Sequence, residues 1–159
     1  MPRRILSRLD DRDRRILSIL QEDGRLTWAT LARRMGMSAP AILARVRRLE
    51  EGGYIRKYVA LLDRHKVGKN AVCYVTVSLN RHDPSTLEQF EAQVHEWPEV
   101  LECARITGDG DYLLKVVAKD AQELENFLAE KLGNAPAVDQ VRTTFVLREV
   151  KYETALSME

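Results

Sequence analysis

The 159-residue chain has little cysteine and no long apolar run, and each shortage excludes a class of protein. Its only two cysteines, Cys73 and Cys103, form neither a disulfide framework nor a metal motif, so we interpret them as buried thiols in a reducing cytoplasm. No apolar stretch approaches the roughly 18 residues that a membrane span needs, and no apolar region follows the charged start of the chain. We therefore expect a cytoplasmic protein with no membrane partner.

The chain also lacks the residue patterns of the common catalytic sites. Its three histidines, His65, His82 and His95, are scattered, and none stands at metal-ligand spacing from another histidine or a cysteine. There is no glycine-rich phosphate loop and no nucleophile elbow. We predict no catalytic residue, no metal site and no cofactor, and hence a protein that is not an enzyme.

The formal net charge of +1 conceals two halves of opposite sign. Residues 1–62 hold 14 Lys and Arg against 7 Asp and Glu, a net of +7, whereas residues 63–159 hold 11 against 17, a net of −6. Halves so different usually have different partners. The basic half is the candidate for contact with a polyanion such as nucleic acid.

The basic half has the pattern of three short helices. Asp10 and Asp13 have the spacing of a helix-capping pair, and Thr27 and Ser38 are candidate N-caps for two further helices. Gly36 stands where the chain must turn with a positive φ, and Pro40 lies in the first turn of the third helix, where its missing N–H costs little. The apolar positions at helical spacing predict the core: Leu9, Ile16, Leu17, Leu20, Leu31, Ala32, Met35, Ile42, Val46 and Leu49.

This spacing predicts a helix-turn-helix whose third helix enters the major groove of DNA. With its apolar side turned inward, that helix presents mainly small residues and arginines outward. Small side chains cannot hydrogen-bond base edges, so we predict sequence-tolerant binding that depends on phosphate contacts and DNA deformability. The alternative is three ordinary helices with a solvated basic face. The predicted contacts to double-stranded DNA are Thr27, Trp28, Ser38, Pro40, Ala41, Ala44, Arg45, Arg47 and Arg48.

The rest of the chain predicts an α+β domain. Residues 54–62 are rich in strand formers and predict a strand leading out of the DNA-binding domain (1–62), and residues 63–70 predict a linker. Within 71–159 the patterns give β-α-β-β-α-β, the ferredoxin-like order, with a last strand from Val141 to Val150. Two helices cover only one face of such a sheet, so we predict a homodimer that pairs through the other face.

Several motifs resemble those of the Lrp/AsnC feast/famine regulators. They include Leu9–Asp13, Asp23–Thr27, Gly36–Ser38, Arg45–Glu50, Gly53–Ile55, Tyr58–Asp63, Thr107–Leu114 and Val141–Thr144, and they extend over nearly the whole chain in order. The resemblance implies a winged or helix-turn-helix DNA-binding domain followed by a ferredoxin-like effector domain of the kind called RAM. It also implies homodimers that assemble into octamers, and an amino acid effector bound between dimers.

The segment Thr107, Gly108, Asp109, Gly110 and Asp111 is the predicted effector site. Two glycines let backbone N–H groups approach a carboxylate, and an aspartate can accept an ammonium group, so the loop matches both ends of a free amino acid. The alternative is a tight hairpin whose aspartates bond their own turn. Gly110 departs from the family, whose members often carry a bulky residue there, and we expect a wider pocket or an altered ligand preference.

Two other functions stay open on the sequence. A sirohaem decarboxylase has the same overall build, but it would need histidines or arginines gathered in the effector domain, and the sequence predicts no such cluster. The second open function is that of a ligand-binding assembly module that has no DNA function or that binds RNA. RNA recognition normally uses exposed aromatic residues, and in the basic half these are limited to Trp28, Tyr54 and Tyr58.

Overall fold

The computed structural model describes residues 9–158, and the chain divides into two compact units. The first spans Met1–Leu61 together with Lys151–Glu159, and the second spans Leu62–Val150. The last nine residues, which the sequence placed in the second domain, thus belong with the first unit. Residues 1–8 of the predicted DNA-binding domain lie outside the described residues.

The first unit is built from three helices, and its caps explain where each one begins. Helix α1 (Asp11–Glu22) starts with a full capping box, in which Asp10 and Asp13 each accept the other's backbone N–H. Helix α2 (Trp28–Met35) is capped by Thr27, and helix α3 (Ala39–Glu51) is capped by Ser38. The three helices and their N-caps confirm the sequence prediction.

The turn between α2 and α3 depends on Gly36. Its φ of 63° lies in the left-handed region, which a residue without a Cβ adopts without strain. The backbone N–H of Met37 returns to the carbonyl of Ala32 at 3.0 Å and closes the end of α2. This compact turn sets α3 across α2, and together the helices bury the core Ile16, Leu17, Leu20, Leu31, Ala32, Ile42, Val46 and Leu49.

The predicted exit strand at residues 54–62 is wrong for this chain. No residue from Arg56 to Leu62 is in a strand, and Val59, Leu61 and Leu62 are between 62% and 71% exposed. A strand needs a neighbouring strand to take its backbone hydrogen bonds, and none of the four described strands pairs with these residues. High strand propensity without that partner leaves an extended, exposed segment.

The last residues of the chain dock on α1. The side-chain amide of Gln21 accepts the backbone N–H of Leu156 at 2.6 Å and donates to the carbonyl of Leu156 at 3.0 Å. Arg14 donates to the carbonyl of Met158 at 3.4 Å, and Met158 packs against the core of the first unit. Hydrogen bonds from side chains of α1 to the main chain of this segment, together with the partly buried side chain of Met158, therefore hold it in place.

The second unit is a four-stranded antiparallel sheet with helices on one face. Its elements are β1 (Ala71–Leu79), α4 (Pro84–His95), β2 (Val100–Arg105), β3 (Tyr112–Ala118), α5 (Ala121–Asn126) and β4 (Val138–Phe145). The strand order is β2-β3-β1-β4, which confirms the predicted ferredoxin-like fold. Alternate residues of β1 point to the helices, and the core contains Cys73, Val75, Val77, Leu79, Phe90, Val94, Tyr112, Leu114, Val116, Leu124, Phe127 and Leu132.

Three details of the second unit differ from the prediction. Strand β4 ends at Phe145 and not at Val150. Its register with β1 ends at Cys73, the backbone N–H of Val146 still donates to the carbonyl of Val72 at 3.0 Å, and Leu147 beyond it is 98% exposed. Helix α5 continues as a π-helical stretch, Phe127–Leu132. Residues 63–70, which the sequence predicted as a linker, cluster with the second unit and contain a turn at residues 64–68, in which the Asp63 side chain accepts the backbone N–H of His65.

No helix among residues 9–158 is long and apolar enough to cross a membrane. Of the two free cysteines, Cys73 is buried as expected, but Cys103 is exposed on β2, so the prediction that both are buried is wrong for Cys103. Strand β2 lies at the edge of the sheet, and its residues 101–105 are all exposed.

Candidate nucleic-acid interface and effector loop

Helix α3 presents a small, largely uncharged surface at its N-terminal end. Ser38, Pro40 and Ala44 are exposed, and Ala41 is half-buried, while Ile42 and Val46 lie in the core. The Ser38 hydroxyl accepts the backbone N–H of Ala41 at 3.4 Å, so this residue is already used as the helix cap. A surface of this kind can approach a nucleic-acid groove closely and offers methyl groups more than hydrogen bonds.

The two predicted contacts in α2 lie at its N-terminus. The Thr27 hydroxyl accepts the backbone N–H of Thr30 at 3.2 Å and is exposed. Trp28 is half-buried and packs against the core of the first unit. The first backbone N–H groups of a helix attract anions, so the geometry is compatible with a phosphate contact there.

The arginines of α3 differ sharply from one another. Arg45 pairs with Asp10 and with Asp13, both at 2.7 Å, and only 24% of its side chain is exposed. Arg48 pairs with Asp13 at 2.5 Å and is 48% exposed. Arg47 is exposed and forms no ion pair with any residue from 9 to 158. The sequence placed Arg47 and Arg48 outward and Arg45 on the flank of the same face, and it predicted all three as DNA contacts. Carboxylates of α1 hold Arg45 and Arg48.

Sequence reasoning missed this role of Asp10 and Asp13, which it treated only as caps of α1. Hydrogen bonds from the Asp13 backbone N–H and from Arg45 lower the pKa of Asp10. Hydrogen bonds to Asp10 and then Asp13 raise the pKa of Arg45. A signal was present: the two carboxylates and the two arginines each stand three residues apart, so each pair lies on one face of its helix.

The predicted effector loop is a turn between β2 and β3. Gly108 has a φ of 111°, a conformation that residues with a side chain rarely adopt. Thr107, Gly108 and Asp109 are exposed, while Gly110 and Asp111 are partly buried. The side chain of Asp109 makes no hydrogen bond or ion pair within the part of the chain that the structure describes.

Asp111 ties the loop to the end of β1. Its Oδ2 accepts the backbone N–H of Leu79 at 2.7 Å, and its backbone N–H donates to the carbonyl of Val77 at 2.9 Å. Its Oδ1 lies 2.9 Å from Nε2 of His82. The alternative of an aspartate that bonds its own turn is therefore wrong in detail, since the partners belong to another strand and the loop after it.

Gly110 is packed against β1. A Cβ placed on it would overlap the Cγ2 methyl of Thr76 and lie 3.4 Å from the carbonyl oxygen of Val77. The absence of a side chain therefore brings the loop close to the strand. In the single chain the space beside Gly110 is filled by Thr76, and the expected wider pocket or altered ligand preference stays a prediction.

A cleft between α4 and the edge strand β2 is lined by polar residues outside the predicted loop. The Tyr112 hydroxyl donates to Glu91 at 2.7 Å, and burial together with that carboxylate raises the pKa of Tyr112 to about 12. Although Cys103 is exposed, desolvation in this cleft, with a smaller effect from Glu91, raises the pKa of its thiol. The Tyr112 hydroxyl and the Cys103 thiol are thus held neutral. The residues that line the cleft are Glu91, Val94, His95, Val100, Leu101, Glu102, Cys103, Arg105 and Tyr112.

Both units match known protein families. Residues 9–56 match the model of a winged helix-turn-helix DNA-binding domain, and residues 72–156 match that of the Lrp/AsnC ligand binding domain. Together the matches extend over most of the chain, in the order in which the two units occur.

The chain is also similar to whole proteins. It is 42% identical over 148 residues to the leucine-responsive regulatory protein of Salmonella typhimurium, covering 93% of this chain and 90% of that protein. It is 41% identical, with the same coverage, to the leucine-responsive regulatory protein of Escherichia coli strain K12. A transcriptional regulator of Neisseria meningitidis, solved in complex with L-Met, superimposes with a TM-score of 0.90 at 37% identity and covers 95% of this chain and 97% of its own. An AsnC family transcriptional regulator from Agrobacterium tumefaciens gives a TM-score of 0.89 at 37% identity, with 94% and 97% covered.

Proposed function

The chain belongs to the Lrp/AsnC family of DNA-binding transcriptional regulators, and from this premise we propose that it binds double-stranded DNA with little sequence preference and responds to an amino acid. The DNA contacts are made by the N-terminal ends of α2 and α3 and by Arg47. The protein acts in the cytoplasm and is not an enzyme.

The surface of α3 is the observation that carries this proposal. Its outward positions Pro40, Ala41 and Ala44 have no group that can hydrogen-bond a base edge, and Arg47 is the exposed cation beside them. Direct readout of sequence depends on such hydrogen bonds, whereas phosphate contacts depend on charge alone. Binding by this helix is therefore governed by phosphates and by the shape of the groove.

Assembly follows from the second unit. No described helix covers the sheet face away from α4 and α5, and Tyr74 on it is 39% exposed. A second sheet packed there gives a homodimer, which places two copies of α3 about one DNA turn, roughly 34 Å, apart. Association of dimers, up to the octamer expected from the family resemblance, raises apparent affinity through multivalency.

An amino acid is the effector we propose, with leucine and methionine the first to test. Relatives named leucine-responsive regulatory proteins are similar over nearly the whole chain, and the Neisseria regulator was solved with L-Met. In the Thr107–Asp111 loop, Asp109 is the carboxylate free to accept an ammonium group. Asp111 contributes by holding the loop to β1, as its bonds to Leu79 and His82 require.

The aromatic residues of the first unit favour duplex DNA over RNA as the partner. Tyr58 donates to Glu50 at 2.9 Å, and burial together with this bond raises its pKa to about 12. Tyr54 and Trp28 pack against the core. Packing limits Trp28 and Tyr54 as stacking platforms for an unpaired base, the usual requirement for sequence-specific RNA binding. Of the three, Tyr58 is the exposed ring, at 44%.

Two experiments test the proposal. Gel shifts should compare the duplex upstream of the protein's own gene, a scrambled duplex of equal length and the matching RNA. We expect both duplexes to be bound within about tenfold of each other and the RNA far more weakly, whereas strict preference for one duplex would contradict the sequence tolerance.

A thermal-shift screen of the twenty amino acids, followed by sedimentation of each hit, should identify an effector that also changes assembly. No stabilisation by any of them would contradict the effector assignment.

A further inference from the structure

Among residues 9–158, Asp13 is the one charged residue that is buried, with 1% of its surface exposed. Both of its carboxylate oxygens face arginines of α3: Oδ1 accepts from Arg45 and Oδ2 accepts from Arg48. A carboxylate this deeply buried needs such partners, since an unpaired charge out of water is strongly destabilising. The position of α3 against α1 is thereby tied to one side chain.

Asp10 completes the cluster from the exposed side. Its Oδ2 accepts from Arg45 at 2.7 Å, and its Oδ1 accepts the backbone N–H of Asp13 at 2.8 Å. Two carboxylates and two guanidinium groups thus alternate and cancel in charge. Arg45 faces two carboxylates, Arg48 faces one, and Arg47 faces none of those between residues 9 and 158.

We propose that Asp13 is a positioning residue that limits sequence-independent DNA binding by keeping Arg45 and Arg48 away from phosphates. The inference rests on the proposed function and refines it, because it assigns the three arginines different roles. Arg47 contacts phosphate. Arg45 anchors α3 to α1, and Arg48 is partly held back.

The consequence for DNA binding follows from charge. Phosphate contacts raise affinity for every sequence equally, so each arginine held in an ion pair lowers the non-specific background without changing base contacts. An arginine released from Asp13 and placed on a phosphate steepens the dependence of log K on log salt by about 0.9 and tightens binding about tenfold at 50 mM salt. Two released arginines give up to twice that change in slope.

Asp13→Asn in the full-length protein tests the proposal. Asparagine has the same shape and keeps one acceptor oxygen, but it removes the charge that attracts the arginines. The measurement is fluorescence anisotropy on a random 30-bp duplex between about 50 and 300 mM KCl, the range in which counterion release dominates. We expect a salt slope steeper by about 1 to 2 on the random duplex and on the upstream duplex alike, with the ratio of the two affinities unchanged.

Asp11→Asn is the matched control. Asp11 lies in the same first turn of α1, is exposed, and makes no ion pair with any described arginine, so its neutralisation changes net charge equally without releasing Arg45 or Arg48. Adding Arg48→Ala to the Asp13→Asn variant should return part of the slope toward that of the wild type. Equal slopes for Asp13→Asn and Asp11→Asn, with both variants folded by circular dichroism, would overturn the proposal.

A second variant covers the case in which Asp13→Asn fails to fold. Asp10→Asn keeps a good N-cap, since asparagine caps helices as well as aspartate does, and it removes one of the two carboxylates on Arg45. Its slope should lie between those of Asp11→Asn and Asp13→Asn; a slope equal to that of Asp11→Asn would count against the proposal. If the wild-type protein binds no duplex, the proposed function itself fails. Binding by the wild type with no effect of these variants refutes only the role of Asp13.

Discussion

A methyl group added at Gly110 should disturb the effector loop through one identifiable contact. The Cβ of Gly110→Ala would overlap the Cγ2 methyl of Thr76 on the central strand β1. Thr76 is β-branched, so its χ1 has few alternatives, and the strand on either side is fixed by pairing with β3 and β4. The backbone of the loop therefore has to move away from β1.

Overpacking of this kind lowers the free energy of unfolding by about 1–3 kcal/mol. For a unit of this size, each kcal/mol lowers the melting temperature by about 4–8 °C. We expect the loss of unfolding free energy in Gly110→Ala to be about 1–3 kcal/mol. Thr76→Ser removes the obstructing methyl and keeps the hydroxyl, so in the double variant most of the loss should be recovered, with a coupling of at least about 1 kcal/mol.

Trp97 is a suitable probe of the second unit. Its ring lies 6.3 Å from that of Phe90 and 5.6 Å from that of Phe127, so its fluorescence reports unfolding there. Trp28→Phe removes the tryptophan of the first unit, which is the other of the two in the chain. Urea and thermal unfolding of the four proteins in this background give the double-mutant cycle.

Gly108→Ala separates overlap from backbone strain. Gly108 has a φ of 111° with open space around its missing Cβ, so alanine there is strained by its backbone and not by Thr76. Both glycine variants should be destabilised, but Thr76→Ser should rescue only Gly110→Ala. Rescue of both, or of neither, would refute the packing of Gly110 against β1.

Three further predictions concern single side chains. Asp111→Asn should destabilise the second unit by about 1–2 kcal/mol, because it weakens the charged acceptor for the Leu79 N–H and the contact with His82; unchanged urea unfolding would show that the loop is held by its other contacts. Gln21→Ala should speed hydrogen exchange at the Leu156 amide, which donates to the Gln21 side chain, while Gln21→Glu keeps that acceptor and should slow it again. Stability of the first unit should fall as pH drops below the ordinary aspartate value of 3.8, because Asp10 has a lowered pKa in the folded state. The contribution of Asp10 to the stability of the first unit is complete above its pKa in the unfolded chain and is lost as pH falls through its lower pKa in the folded state. Asp10→Asn should remove part of this pH dependence in thermal melts followed by Trp28 fluorescence; identical acid profiles would contradict it.

Local sequence was enough to predict the helices of the first unit and most of the sheet. Caps such as Thr27 and Ser38 act within three residues, and Gly36 marks its turn by its own conformational preference. The alternation in β1 follows from the two-residue period of a strand with one buried face. These signals are complete within a few residues and need no tertiary information.

The features that the sequence could not give depend on residues far apart in the chain. Whether Arg45 contacts DNA or a carboxylate is decided by the packing of α3 on α1, which brings it to Asp13. Strand formers at residues 56–62 had no partner strand in the single chain, and the register of β4 with β1 ended at the pair of Phe145 and Cys73. The bond from Leu79 to Asp111 likewise required the fold to place the loop beside β1.

Helix α3 is proposed to bind duplex DNA mainly through phosphates, with Arg47, which forms no ion pair with residues 9–158, as its exposed cation. The most direct test is the affinity of the full-length protein for a labelled 30-bp duplex as a function of salt, beside Arg47→Ala. We predict clear binding at about 50 mM KCl, a linear fall of log K with log salt, and a slope reduced by about 0.9 in Arg47→Ala on specific and random duplexes alike. No affinity at low salt, or an unchanged slope in Arg47→Ala, would contradict the claim.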